Sequence, residues 1–232
     1  MKSFGKGVQV FLLLGILNCT ALIAQDARKD LAQLQATFAD LDKVLIDLEV
    51  SVYPEGKSQP EAVQRFKMHK DGKNFYYDMG KMELLVNTQY KITVTHERKV
   101  IFCQKQQGEA LQSPGQEQLL QTMLDSALAQ YEHIEYKGKS PEGWKHYRLE
   151  QPGGQISQTD LYLSADARKV HRVRYRYNAL YTGESQEVEI EYKRFETRPQ
   201  FAGNLFSETR FVRQTKEGLE PARQYAQYRV VH

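Results

Sequence analysis

Between residues 62 and 79 apolar side chains fall on alternate positions around an Asp-Gly pair, in AVQRFKMHKDGKNFYYDM. Period two marks strands with one buried face, and Asp71-Gly72 marks a two-residue hairpin turn. Folding the chain there sets Met68 opposite Phe75 and Phe66 opposite Tyr77, so the apolar residues of both strands share a face. The same period continues in KMELLVN, QYKITVTH, RKVIFCQ, GWKHYRLEQ, SQTDLYLSA, VHRVRYRYN and EVEIEYKRF. A polar turn at His96 to Lys99 and a Pro152-Gly153-Gly154 turn separate some of these runs, and a hairpin around Lys216 to Gly218 closes the chain. The sheet is expected to be mostly a meander.

Two stretches have a helical period instead. Leu31, Leu34, Phe38, Leu41 and Leu45 recur at spacings of three and four, which predicts a helix from about Asp26 to Lys43 with one packed stripe. In QSPGQEQLLQTMLDSALAQY, Ser113 suits an N-cap, Pro114 the first helical position and Gln116 a capping box. Leu120, Met123, Leu124, Ala127 and Leu128 form its stripe. The predicted class is α+β: one large curved antiparallel sheet with helices on one side of it, forming a single domain over residues 25–232.

The first 24 residues stand apart. Lys2 and Lys6 precede an apolar run from Val8 to Leu17, followed by small residues, the pattern of an export signal. The run is short for a membrane span, and no later segment approaches the roughly 20 apolar residues that spanning needs. Cleavage after Ala24 is the favoured reading. Ile16-Leu17-Asn18-Cys19 loosely resembles a lipobox, but Asn18 stands where Gly, Ala or Ser is usual. An exported, periplasmic protein is expected, with lipid anchoring through Cys19 as the alternative. Removing the signal leaves Cys103 alone and excludes an intramolecular disulfide. It also lowers the formal net charge from +3 to +1, which argues for neither nucleic acid nor an acidic partner.

VHRVRYRY carries Arg172, Arg174 and Arg176 on alternate positions, and the following strand carries Glu187, Glu189 and Glu191. Pairing Arg176 with Glu187 as antiparallel neighbours sets Arg174 opposite Glu189 and Arg172 opposite Glu191. It also sets Tyr175 against Val188 and Val173 against Ile190. Each cross-strand ion pair contributes a few tenths up to about 1 kcal/mol. The arginines are therefore expected to be matched within the sheet, not free for phosphate.

No G-x-S-x-G, P-loop, G-x-G-x-x-G, H-E-x-x-H or C-x-x-C motif occurs. His69, His96, His133, His146, His171 and His232 lack the spacing of a compact metal site, and Cys103 follows Val100-Ile101-Phe102 as a buried thiol would. No enzyme chemistry and no cofactor are expected.

The aromatic supply is 14 Tyr and 10 Phe with one Trp. On the expected inner face lie Phe66, Met68, Phe75, Tyr77, Tyr90, Ile92 and Val94, with Val173, Tyr175, Val188 and Ile190 further along. Such residues make either a solid core beneath the helices or an apolar pocket that two helices leave unfilled.

The order of an export signal, one helix, a run of strands, an inserted helix and more strands resembles the outer-membrane lipoprotein carrier superfamily, the LolA/LolB-like fold. FKMHKDGKNFYYDMGKMELLVNTQYKITVTHERKVIFCQ looks like its succession of short strands. TDLYLSADARKVHRVRYRYN looks like its later strand, Asp-containing turn and strand. The resemblance implies an unclosed β-barrel whose concave face holds acyl chains under a helical lid. A carrier for a lipid, a lipoprotein acyl chain or another hydrophobic ligand is the expectation. A non-catalytic envelope module that binds a protein partner on the same fold is the alternative.

Overall fold

The computed structural model describes residues 27, 29–34, 36–37, 41–106 and 131–231. The export signal, Cys19 and the second predicted helix lie outside the described residues. No helix among those described is long and apolar enough to cross a membrane. The chain forms two compact units, Met1–Ala39 with Thr122–Glu187, and Asp40–Gln121 with Val188–His232.

The strands are β1 (Lys43–Pro54), β2 (Ala62–Asp71), β3 (Asn74–Asp78), β4 (Met82–Val86), β5 (Tyr90–Thr95), β6 (Val100–Lys105), β7 (His133–Lys139), β8 (Lys145–Glu150), β9 (Ile156–Leu163), β10 (Val170–Tyr177), β11 (Gln186–Glu196), β12 (Val212–Thr215), β13 (Gly218–Pro221) and β14 (Arg229–Val231). Twelve of them form an open sheet in the order β14, β6, β5, β4, β3, β2, β1, β11, β10, β9, β8, β7. It is antiparallel except where β14 runs parallel to β6. β12 and β13 make a separate hairpin with Thr215 opposite Gly218, at the expected Lys216–Gly218 turn.

In the first unit, residues 27, 29–34 and 36–37 are helical, here α1. Ala27, Leu31 and Leu34 are fully buried on its inner stripe. Asp30 accepts from Lys145 Nζ at 2.6 Å and from the Tyr147 hydroxyl at 2.5 Å. These contacts fix α1 on the face of β8 that bears Tyr147 and Leu149; Leu161 and Val173 extend that face across β9 and β10. The expected helix reached Lys43, but Leu41 is not helical and Leu45 belongs to β1.

The other face of this unit is polar. Asp160, 5% exposed, accepts from Arg148 Nε at 2.9 Å and Gln158 Nε2 at 2.6 Å, and meets His146 Nε2 at 2.7 Å. Burial pushes its carboxyl up, yet the bonds from Arg148, His146 and Gln158 prevail and hold it below the usual range. His146 stacks on Tyr162 at 4.4 Å, and His171 stacks on Trp144 at 4.4 Å. Arg176 binds Glu187 Oε1 through Nη2 at 2.6 Å and Nε at 3.0 Å, as the sequence pattern predicts. Arg172 lies over Trp144 and Tyr162, 5.5 Å from each ring. Glu191 and Lys193, which belong to the second unit, pair at 2.5 Å. Between β10 and β11, Ala179–Thr182 form a single helical turn, α2, capped by Asn178 and ended by Gly183 at φ +83°.

In the second unit the β2–β3 hairpin departs from its expected register. Met68 pairs with Tyr77 and Lys70 with Phe75, a shift of two positions. The turn residues are Gly72 and Lys73, with Asp71 paired to Asn74, and Gly72 supplies the positive φ of +56°. An even shift keeps every side chain on its face, so Phe66, Met68, Phe75 and Tyr77 still share one.

Candidate functional site

The two faces of the second unit's sheet differ in what meets them. Cα pairing carries one face from Tyr76 to Leu85, from Leu85 to Ile92 and from Ile92 to Cys103. Val94 and Ile101 pair beside them. All six are buried, in one cluster with Phe211, Val212 and Tyr225 of the C-terminal segment. Tyr90 packs against the same cluster. Burial raises the Cys103 thiol pKa to about 11.

A carboxylate sits inside this covered face. Glu83, 7% exposed, accepts from the Tyr76 hydroxyl at 2.6 Å and the Tyr225 hydroxyl at 2.5 Å. His96 Nε2 approaches it at 3.2 Å, and His96 Nδ1 meets the Tyr228 hydroxyl at 2.9 Å. Both Tyr76 and Tyr225 have their phenol pKa raised, first by burial and then by the Glu83 carboxylate. Arg210 completes the cover, its guanidinium 4.5 Å from the Tyr76 ring. The cluster bonds the C-terminal segment to β3, β4 and the β5–β6 turn.

The opposite face carries a different row. Ile46 pairs with Met68, Met68 with Tyr77 and Tyr77 with Leu84, so one apolar line crosses β1 to β4. Leu48 pairs with Phe66 and Phe75 with Val86 on either side of it. Apart from buried Ile46, these residues are half-buried. Tyr77 stacks between Phe66 and Phe75, with centroid distances of 6.3 and 6.1 Å. Lys193 of β11 reaches Glu49 at 3.4 Å, and Glu49 lies across β1 from this row. Alternation then puts Val188, Ile190 and Tyr192 on the row's side.

Two phenols mark this face. Burial raises the Tyr77 phenol, and burial together with the nearby Tyr77 pushes Tyr192 up to about 12. Both therefore stay protonated donors at neutral pH. Lys70 is the cation at the hairpin end of the row, and it donates to the Leu41 carbonyl at 3.0 Å.

The expected ligand face is thus divided by the fold. Phe66, Met68, Phe75, Tyr77, Val188 and Ile190 lie on the half-buried face of the second unit. Tyr90, Ile92 and Val94 lie on its covered face. Val173 and Tyr175 belong to the first unit, where they pair with Leu161 and Thr159 of β9. Sequence reasoning missed Ile46 and Leu48. The alternation of Val44, Ile46, Leu48 and Val50 in KVLIDLEVSVYP was the available signal, hidden by assigning Leu45 to a helix.

A depression of about 410 Å³ lies elsewhere on the second unit, among Asp71, Asn74, Asn87, Gln89, Phe206 and Glu208. Its lining mixes amide, carboxylate and hydroxyl side chains with Phe201 and Phe206, and Asn87 is committed to the Phe206 carbonyl and Glu208, both at 3.0 Å. Among the described residues no group of three His, Cys, Asp or Glu is placed to hold a metal ion.

The chain matches no family model and no curated protein. Among solved structures it is similar to LprF from Mycobacterium bovis, at 12% identity over 77% of this chain and 97% of that one, with a TM-score of 0.43. A LolA superfamily protein from Nitrosomonas europaea matches at 10% identity over 78% and 97%, with a TM-score of 0.33. The complex of MucA and MucB from Pseudomonas aeruginosa matches at 12% identity over 85% and 63%, with a TM-score of 0.41. At these values the likenesses are loose ones of strand arrangement.

Proposed function

We propose that this is an exported binding or carrier protein that holds a hydrophobic ligand, a lipid or a lipoprotein acyl chain, against the half-buried face of its second unit. The row from Ile46 through Met68 and Tyr77 to Leu84 carries the reading. Hydrocarbon on both sides of a sheet is ordinary when both are covered. Among the described residues the C-terminal segment covers one face, while on the other Met68, Tyr77 and Leu84 stay half-buried across β2 to β4. Removing apolar area from water there yields roughly 25 cal/mol per Å², enough for a long acyl chain to bind without any directional contact. The export pattern of residues 1–24 suits a cell-envelope location.

Native mass spectrometry of the mature protein from its exporting cells, followed by organic extraction, tests the reading. Acyl-chain mass at fixed stoichiometry supports it. A bare protein that stays bare after incubation with lipid favours the second reading, a module for a protein partner. One observation supports that alternative: Leu180 and Tyr181 of α2 are 88% and 60% exposed. α2 is nonetheless well held, through the Asn178 cap and a Tyr181 hydroxyl bond to the Gly153 carbonyl at 3.0 Å.

A further inference from the structure

The depression on the second unit shares no residue with the apolar row and is built of different chemistry. Its volume of about 410 Å³ lies within the roughly 300–1,000 Å³ of small-molecule sites. Three parts of the chain meet there: the end of the β2–β3 hairpin with Asp71 and Asn74, the β4–β5 turn with Gln89, and the stretch from Phe201 to Glu208. Asn87, 7% exposed, ties the last two together. Its Nδ2 donates to the Phe206 carbonyl and to Glu208 Oε2, and its Oδ1 accepts from the backbone N–H groups of Gln89 and Tyr90, all within 3.0 Å. The hairpin end is pinned by the Gly72 N–H on the Asp42 carbonyl at 2.9 Å and by Lys43 on Asp71 at 3.0 Å. Phe201 meets Phe206 edge-to-face at 5.2 Å and packs on His69 at 5.6 Å. The walls are thus set before any ligand arrives, which spares ordering entropy on binding.

The polar groups that remain facing the depression are of two kinds. Lys43 and Asn87 each take one oxygen of a carboxylate, and the other oxygens, Asp71 Oδ1 and Glu208 Oε1, have no partner among the described residues. The same holds there for the side-chain amides of Asn74 and Gln89, which can both donate and accept. We infer that this depression binds an uncharged hexose unit. Each sugar hydroxyl is donor and acceptor at once, so neighbouring hydroxyls give to Asp71 and Glu208 and exchange bonds with Asn74 and Gln89, while the C–H face of the ring rests on the Phe201–Phe206 pair. A cation would call for acceptors alone and leave the amide donors unused. An anion would face two carboxylates, with no Lys, Arg or His among the described residues that line the depression. An acyl chain would bury the carboxylates and amides without partners. The site stands apart from the hydrophobic ligand proposed above and neither needs nor excludes it.

The test titrates the isotope-labelled mature chain with cellobiose, glucose, glucuronate and spermidine and follows the backbone amide shifts. Cellobiose is expected to shift the amides of Asn74, Gln89 and the Phe201–Glu208 stretch saturably, with a dissociation constant of about 0.1–10 mM. Glucose should bind at least about threefold better than glucuronate, whose carboxylate meets two others. Asn74→Ala and Gln89→Ala remove the amides without touching a backbone bond, and each should weaken cellobiose about three- to tenfold, with thermal melts confirming the fold. Shifts confined to other residues, or none at about 20 mM cellobiose, overturn the inference. So does undiminished cellobiose affinity in both folded variants, glucuronate binding as well as glucose, or spermidine binding above the sugars. None of these outcomes bears on the apolar row, whose acyl ligand is read by the separate mass-spectrometric test.

Discussion

The two faces of the second unit's sheet are made of similar residues and used differently. On one, Tyr76, Leu85, Ile92 and Ile101 are sealed by Phe211, Val212 and Tyr225, and the polar atoms trapped there are satisfied around Glu83. On the other, Phe66, Met68, Tyr77 and Leu84 stay half-buried. Apolar character alone does not identify a binding face. Among the described residues, what separates the two is that the C-terminal segment packs on one of them.

The difference should be plainest in stability. Phe211→Ala empties a fully buried site and is expected to cost about 3–5 kcal/mol, while Phe66→Ala loses mainly transfer energy, about 1–2 kcal/mol. Urea unfolding of the two variants checks this, and equal losses would erase the contrast. Next in size is Glu83→Ala, which strands two tyrosine hydroxyls under the C-terminal segment. A loss of about 2–3 kcal/mol is expected in the same assay.

The buried carboxylate of the first unit gives a pH-dependent comparison. Asp160 is held below its ordinary value of 3.8 in the folded state, so the unfolded chain takes up its proton first as pH falls. The stability it contributes is complete above that ordinary value and is lost as pH drops through the lower folded one. Asp160→Asn should flatten this acid slope in unfolding curves taken from about pH 6 down to about pH 2. An unchanged slope would show that Asp160 is not its source. The smallest effect is kinetic. Cys103, buried and with its thiol pushed up to about 11, should resist a disulfide reagent at about pH 8 until the protein is unfolded. Rapid native reaction would mean that the cover opens readily.

Much of the strand series was legible, because alternation survives in single sequences wherever one face is polar, as in VHRVRYRY with its Arg176–Glu187 pair. β1 was not, since Leu45 continues the helical spacing of Leu41 while also starting a strand. The division of the apolar residues between two faces was hidden at β4. In MELLV both parities hold apolar side chains, so nothing in that run shows whether Tyr77 and Ile92 share a side. Only the pairings of Leu84 with Tyr77 and of Leu85 with Ile92 separate them. Glu83 read as an ordinary exposed carboxylate because its two phenol partners come from positions 76 and 225, too far apart for a local pattern.

The central claim is that ligand meets the half-buried face and not the covered one. Titration of a fluorescent acyl probe into the wild-type protein, Met68→Lys and Cys103→Ser tests it directly, with melting curves alongside. A charge in the middle of the row should weaken binding about tenfold or more, equivalent to about 1.4 kcal/mol, while Cys103→Ser leaves the affinity unchanged. Undiminished binding to folded Met68→Lys, or its loss in folded Cys103→Ser, would contradict the account.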